Sequence, residues 1–189
     1  MKFRYSLQVM SVALGLGLTA GFGGVAYAQA SDAPASDAPM SETKLSPADQ
    51  QFVQDASQAD ATEIAASRIA LKNSSDPHVK KFAQQMITDH TKLSHGMAVL
   101  VAKKGLKPEA SADSALVGKL QSLKGKEFDQ AYVEQIGLEA HQRAVDLFTQ
   151  ESQSGTDSQL KAAAAHALPT IKHHLAMAQQ LAGAMKGSS

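Results

Sequence analysis

The sequence has 189 residues, 18 basic and 18 acidic side chains, and no cysteine. A balanced charge gives no electrostatic basis for gripping nucleic acid or an anionic membrane surface. The lack of cysteine excludes a disulfide framework and any lipid anchor built on that residue, so stability must come from packing.

The chain opens with the three parts of a secretory signal. Met1-Lys2-Phe3-Arg4 is the positive start, an apolar run from Leu7 to Ala20 follows, and Ala26-Tyr27-Ala28 puts small residues where a signal peptidase reads. The run is shorter than the ~20 residues a membrane span needs, and glycines interrupt it. Cleavage is expected after Ala28, delivering the rest of the chain to the periplasm. It removes Lys2 and Arg4 and no acid, so the mature chain carries two more acids than bases. No second apolar run of spanning length appears, so no membrane embedding is expected. Residues 29–45 contain the near-repeat Ser31-Asp32-Ala33-Pro34 and Ser36-Asp37-Ala38-Pro39. Small polar residues and proline bury too little apolar surface to offset ordering entropy, which predicts a disordered linker.

From residue 46 to 186 the pattern is helical. Ser46 is a good N-cap, followed by Pro47 and by Asp49 in the first turn, and predicts a helix to about Asn73. Asp76-Pro77 repeats that signal for a second helix to about Lys104, which Gly105 stops. A long connection from Leu106 to Gly125 follows, with a short helix expected around Ala112 to Leu123. The third long helix is expected from Lys126 to Ser152, closed by Gly155, and the fourth from Thr156 to Met185, with Pro169 inside it. Two short connections around one long one predict an all-α four-helix bundle with ferritin-like connectivity.

Steps of four and three trace an apolar stripe along each helix. Helix 1 gives Phe52, Ala56, Ala59, Glu63, Ala66 and Ala70; helix 2 gives Val79, Ala83, Met86, His90, Leu93 and Met97. Helix 3 gives Ala131, Glu134, Leu138, His141, Val145 and Phe148; helix 4 gives Leu160, Ala164, Ala167, Ile171, His174 and Ala178. Each stripe is broken near its middle by Glu or His. A charged or imidazole group facing a core is costly unless it is paired or coordinated, so one break per helix points to a shared polar site. Counted from the turns, Glu63 and His90 differ in level by less than one helical turn.

Three uses of such a cluster compete. The commonest is a hydrogen-bonded network that fixes packing and register. The second is a single transition-metal ion (iron, zinc, copper or manganese) held by some of Glu63, His90, His141 and His174, with Asp89 and Glu134 behind them or as alternative ligands. The dinuclear carboxylate pattern needs Glu three residues before His on two helices, whereas Ile87 and Ile171 stand there. General acid–base catalysis is the least supported, because no nucleophile motif or phosphate loop accompanies the cluster. His173 is off the stripe of its helix, as are His78, His95 and His166. Met86, Met97, Met177 and Met185 are expected as core filler.

At these residues the chain resembles the domain of unknown function 4142 family of exported bacterial proteins. The matching pieces are Glu63-Ile64, Met86 with Asp89-His90, Phe128-Asp129 with Tyr132, His141, Leu168-Pro169 and His174-Leu175, spanning Ala48 to Leu181. The resemblance implies a ferritin-like helical fold and an envelope location, and no established activity. The functional expectation is a periplasmic bundle that binds a transition metal and acts in envelope stress. The alternatives are an interaction or structural module meeting an envelope protein partner, and a ferritin-like metal-dependent oxidase.

Overall fold

The computed structural model describes residues 44–187. The expected signal peptide, residues 1–28, and all of the linker before residue 44 lie outside the described residues. Four long helical rods form the bundle. Helices α1 (Pro47–Asn73) and α2 (Pro77–Ala102) make the first pair. A short α3 (Ser114–Ser122) lies in the long connection. The third rod runs without a break through α4 (Gly125–Tyr132), a π-helical segment (Val133–Ala140) and α5 (His141–Ser154), and α6 (Ser158–Gly187) completes the second pair. Among the described residues there is no strand, and no helix is long and apolar enough to cross a membrane.

The caps work as the sequence implies. Ser46 Oγ accepts from the Asp49 N–H at 3.1 Å while the Asp49 carboxylate accepts from the Ser46 N–H, a capping box behind Pro47. Asp76 accepts from the His78 and Val79 N–H groups and starts α2. Gly105, with φ of +71°, takes the left-handed turn after α2 that a side chain would resist. The long connection is pinned to α1: the Asp113 N–H donates to Thr62 Oγ1 at 2.9 Å, and Asn73 Nδ2 donates to the Leu123 carbonyl at 2.9 Å. Leu45, placed in the linker by composition, is buried in the core.

Two apolar clusters fill the bundle. One gathers Phe52, Val53, Ala56, Val101, Phe148, Leu160, Ala164 and Ile171. The other gathers Ala66, Ala70, Phe82, Met86, Phe128, Tyr132, Ile136 and Ala178. Along every long rod the residues between the two clusters are polar: Asp60 and Glu63 on α1, His90 on α2, His141 on α5 and His174 on α6. The bundle is therefore two dry cores separated by one buried polar layer.

The third rod departs from the expected stripe. Its buried residues are Phe128, Asp129, Tyr132, Val133, Ile136, Gly137, His141, Ala144, Phe148 and Glu151. Ile136 and His141 both face the core although five residues separate them, because the π segment inserts an extra residue into one turn. A 3.6-residue period carried backward from His141 lands on Glu134. In the structure Glu134 is exposed, which corrects its expected place in the core. At Gly137 the rod comes so close to α6 that an added Cβ would lie 2.7 Å from the Ala178 Cβ.

Another buried acid sits at the end of the bundle. Glu151 is 5% exposed, and its Oε1 folds over Gly155, where a Cβ would come within 2.4 Å of it. Asp49 ties the same corner together by accepting from the N–H and hydroxyl of Thr156. Burial, with the charges of Asp49 and Asp157, pushes the Glu151 carboxyl up to about 7 against the pull of Lys161. A carboxyl whose folded value is raised contributes stability below about 4.5 that is lost as pH rises through about 7. The unfolding free energy from urea melts should therefore fall between pH 5 and pH 8, by on the order of 2 kcal/mol from this group. Glu151→Gln should flatten that fall, and an unchanged pH dependence in the variant would contradict it.

Candidate metal centre

The polar layer is built from one or two side chains per rod. Asp60 and Glu63, three residues apart, stand on one face of α1. Both reach the same nitrogen of His90: Nδ1 lies 2.8 Å from Asp60 Oδ1 and 3.0 Å from Glu63 Oε2. The other nitrogen of His90, Nε2, lies 3.2 Å from His174 Nδ1. His174 Nε2 in turn meets Asp89 Oδ2 at 3.0 Å, and Asp89 also accepts from Gln85 Nε2 at 2.6 Å. His141 turns its Nδ1 back to the Ile136 carbonyl at 2.9 Å, across the π turn.

The three imidazoles form a near-equilateral triangle, with ring centroids 5.2, 5.4 and 5.5 Å apart. Each ring offers a nitrogen within 4.8 Å of the others. None is more than 2% exposed. Phe82 closes one side, edge-on to both His174 and Tyr132, and the Tyr132 hydroxyl is bonded to Ser67 Oγ at 2.7 Å. His141 Nε2 and Glu63 Oε1 are buried with no hydrogen-bond partner.

A proton arrangement with the cation on His90 fits these ring contacts and leaves His141 Nε2 and Glu63 Oε1 without partners. His90 is a cation: Nδ1–H donates to Asp60 and Nε2–H donates to His174 Nδ1. His174 is neutral and donates from Nε2 to Asp89. His141 is neutral and donates from Nδ1 to Ile136, leaving its Nε2 lone pair free. The electrostatics agree. Burial works against the His90 cation, but Glu63 and Asp60 outweigh it and hold it up at about 9. Burial, then the His90 charge, push His141 down to about 3 and lower His174 as well. Burial and Asp60 push Glu63 up to about 7 against the attraction of His90, and burial also raises Asp60.

The donor set fits a transition-metal ion. Two ligands 2.0–2.1 Å from a tetrahedral ion lie about 3.3 Å apart, close to the 3.2 Å between His90 Nε2 and His174 Nδ1. The third donor is the unpartnered His141 Nε2. Every ring has its outer nitrogen fixed by a carboxylate or carbonyl, the support that sets tautomer and ring orientation at histidine metal sites.

Four of the side chains selected from the sequence, Glu63, His90, His141 and His174, are brought together here. Asp89 stands behind His174 rather than behind His90, its neighbour in sequence. Glu134 is on the outside of the rod. Asp60 was missed; its signal was its place three residues before Glu63, which a three-residue step would have added to the stripe. His78, His95, His166 and His173 are exposed.

A family model, domain of unknown function DUF4142, matches residues 34–181. The chain belongs to the DUF4142 family. No curated protein matches the sequence significantly. Among solved structures, a DUF305 fragment from Deinococcus radiodurans superposes with a TM-score of 0.65 at 17% identity, covering 74% of this chain and 97% of that one. A DUF305 protein from Streptomyces coelicolor gives 0.64 at 19%, covering 74% and 94%. CopM in its Cu(I)-bound form gives 0.60 at 19%, covering 70% and 93%. At such identities the likeness establishes a shared helical fold. It covers most of each neighbour, so the DUF4142 bundle is the same kind of four-helix unit.

The proton arrangement is testable by long-range proton–nitrogen spectra of the metal-free protein. At pH 7 one histidine of the triangle should carry both ring protons and lose one near pH 9, while His141 stays neutral with its proton on Nδ1. A cationic His141, or a proton on its Nε2, would refute the scheme.

Proposed function

We propose that this DUF4142 protein is an exported metal-binding bundle that holds one copper ion in the triangle of His90, His141 and His174. The carrying observation is that three buried imidazoles converge while their outer nitrogens are held by Asp60, Glu63, Ile136 and Asp89. In the metal-free protein a proton bridges His90 and His174 where the ion would sit. Binding therefore displaces a proton, and affinity falls as pH drops.

Copper is favoured on two grounds. Imidazole suits copper and zinc, and copper stands highest in the divalent affinity series. The CopM neighbours, of the same fold, are in Cu(I)-bound and Cu(II)-bound forms. The burial of all three rings argues for holding or carrying the ion rather than for turnover. Export rests on the amino-terminal signal and its Ala26-Tyr27-Ala28 site. A role in envelope stress, as a sink for excess copper, follows from location and site together. The competing reading, a purely hydrogen-bonded layer, is supported by the bonds already satisfied without metal.

Untagged protein purified from periplasm should have a mass that begins at Gln29. Titrated with Cu(I) against a chromophoric chelator, it should bind one tight equivalent. Metal at a hundredfold excess over Kd should add about 2.7 kcal/mol of stability. His141→Ala and His174→Ala should each lose the tight equivalent and the stabilisation. No bound ion and no shift in Tm with copper, zinc, iron or manganese would leave the hydrogen-bonded layer as the function of these residues.

A further inference from the structure

His90 belongs to two donor sets, one at each ring nitrogen. Its Nε2 faces His141 and His174. Its Nδ1 faces Asp60 and Glu63, and each of these three residues offers a ligand atom within 4.8 Å of the others. We propose that Asp60, Glu63 and His90 Nδ1 form a second cation site for a divalent ion, zinc being the best fit, so that the His90 ring bridges it to the ion in the triangle. This rests on the preceding reading for the first ion, while the second donor set stands on its own geometry.

Three observations carry it. First, the donor separations of 2.8 Å and 3.0 Å are a few tenths of an ångström short of the edge of about 3.3 Å in a tetrahedral shell with bonds of about 2.0–2.1 Å, a gap that small side-chain shifts close. Second, the set is over-supplied with acceptors. Glu63 is 2% exposed, and its Oε1 has no hydrogen-bond partner, lying 3.6 Å from a His141 Nδ1 that already bonds the Ile136 carbonyl, so three carboxylate oxygens of Asp60 and Glu63 are served by the one N–H of His90. Unpaired acceptors at that depth are costly, and a cation supplies what one N–H cannot. Third, a ring that ligates through Nε2 is neutral, so an ion in the triangle leaves the two carboxylates facing a single neutral donor.

The donor chemistry separates the two ions. Two carboxylate oxygens and one imidazole suit a borderline divalent ion such as Zn(II), whereas three imidazoles also suit Cu(I). As the second ion binds, the Nδ1 proton of His90 leaves to solvent and the ring becomes an imidazolate with one metal bond at each nitrogen. The two ions then lie about 6 Å apart, two bonds of 2.0–2.1 Å plus the width of the ring.

The experiment uses the whole mature protein. It is dialysed against Cu(II), zinc or both, with elemental analysis and the Cu(II) electron paramagnetic resonance spectrum as readouts. The wild type should take one copper and then one zinc, and zinc should shift the copper hyperfine pattern. With copper in both sites, the bridge should couple the spins and remove most of the mononuclear signal. Asp60→Asn/Glu63→Gln, near-isosteric and checked for helicity, should take no zinc with or without copper and, loaded at saturating copper, show a spectrum blind to zinc; its copper affinity is not the readout, because both side chains also orient His90. One copper in the wild type, with no zinc uptake and no spectral response, would overturn the second site and leave the first standing. No copper in the wild type would overturn the first. The second would then be judged on zinc alone: one equivalent lost in the double variant supports it, and none in the wild type overturns it.

Discussion

The bundle depends on a buried polar layer that must satisfy itself. Asp60, Glu63, His90, His141 and His174 lie between two apolar clusters, out of reach of water. Charged groups at that depth are tolerated only in pairs, and breaking one pair strands its partner at a cost of about 3–5 kcal/mol. The chain meets this by making each imidazole a relay. His90 links α1 to α6, and His174 passes the contact on to Asp89 at the surface of α2. Such a layer specifies which face of each rod meets which, because a slip of one residue would bury a charge against alanine or leucine.

Local geometry is bent to serve the layer. The π segment lets the third rod present Ile136 and His141 to the core across five residues, and it leaves the Ile136 carbonyl within reach of the His141 ring. Gly137 lets the widened turn lie against Ala178 of α6. An ordinary helix there would rotate either the aromatic cluster of Phe128 and Tyr132 or the histidine away from the core. Irregular turns of this kind recur at functional sites because they re-aim one side chain without ending the helix.

What the sequence reveals follows the same division. Helix starts at Ser46 and Asp76, the stop at Gly105 and the short helix in the connection are local, and they were legible from residue types alone. Glu63, His90, His141 and His174 were legible because each breaks an otherwise apolar stripe. The misplacement of Glu134 has one cause: a 3.6-residue period cannot anticipate an inserted residue. Asp60 was hidden by tracing the stripe through Ala59, which is only half-buried, whereas its neighbour Asp60 takes the core-facing place. The register between the two helix pairs, which brings His90 to His174, is set by packing between elements far apart in sequence. No spacing within one helix could disclose it.

The layer also ties stability to the metal binding proposed above. Without an ion, the centre stabilises the bundle little: its ion pairs offset their own desolvation and leave His141 Nε2 and Glu63 Oε1 unmatched. Apolar residues of the same volume would hold such a bundle at least as well. A sequence selected for packing alone has no reason to keep three imidazoles pointed at one another with their outer nitrogens tied down. Pre-organisation of that kind lowers the cost of gathering donors around a cation, which transfers binding free energy into the folded state. Of the two unmatched atoms, one belongs to a ring of the triangle and the other, Glu63 Oε1, lies 3.6 Å from the Nδ1 of that same ring. On the proposed function, they are the cost in stability that the bundle bears for keeping metal donors ready.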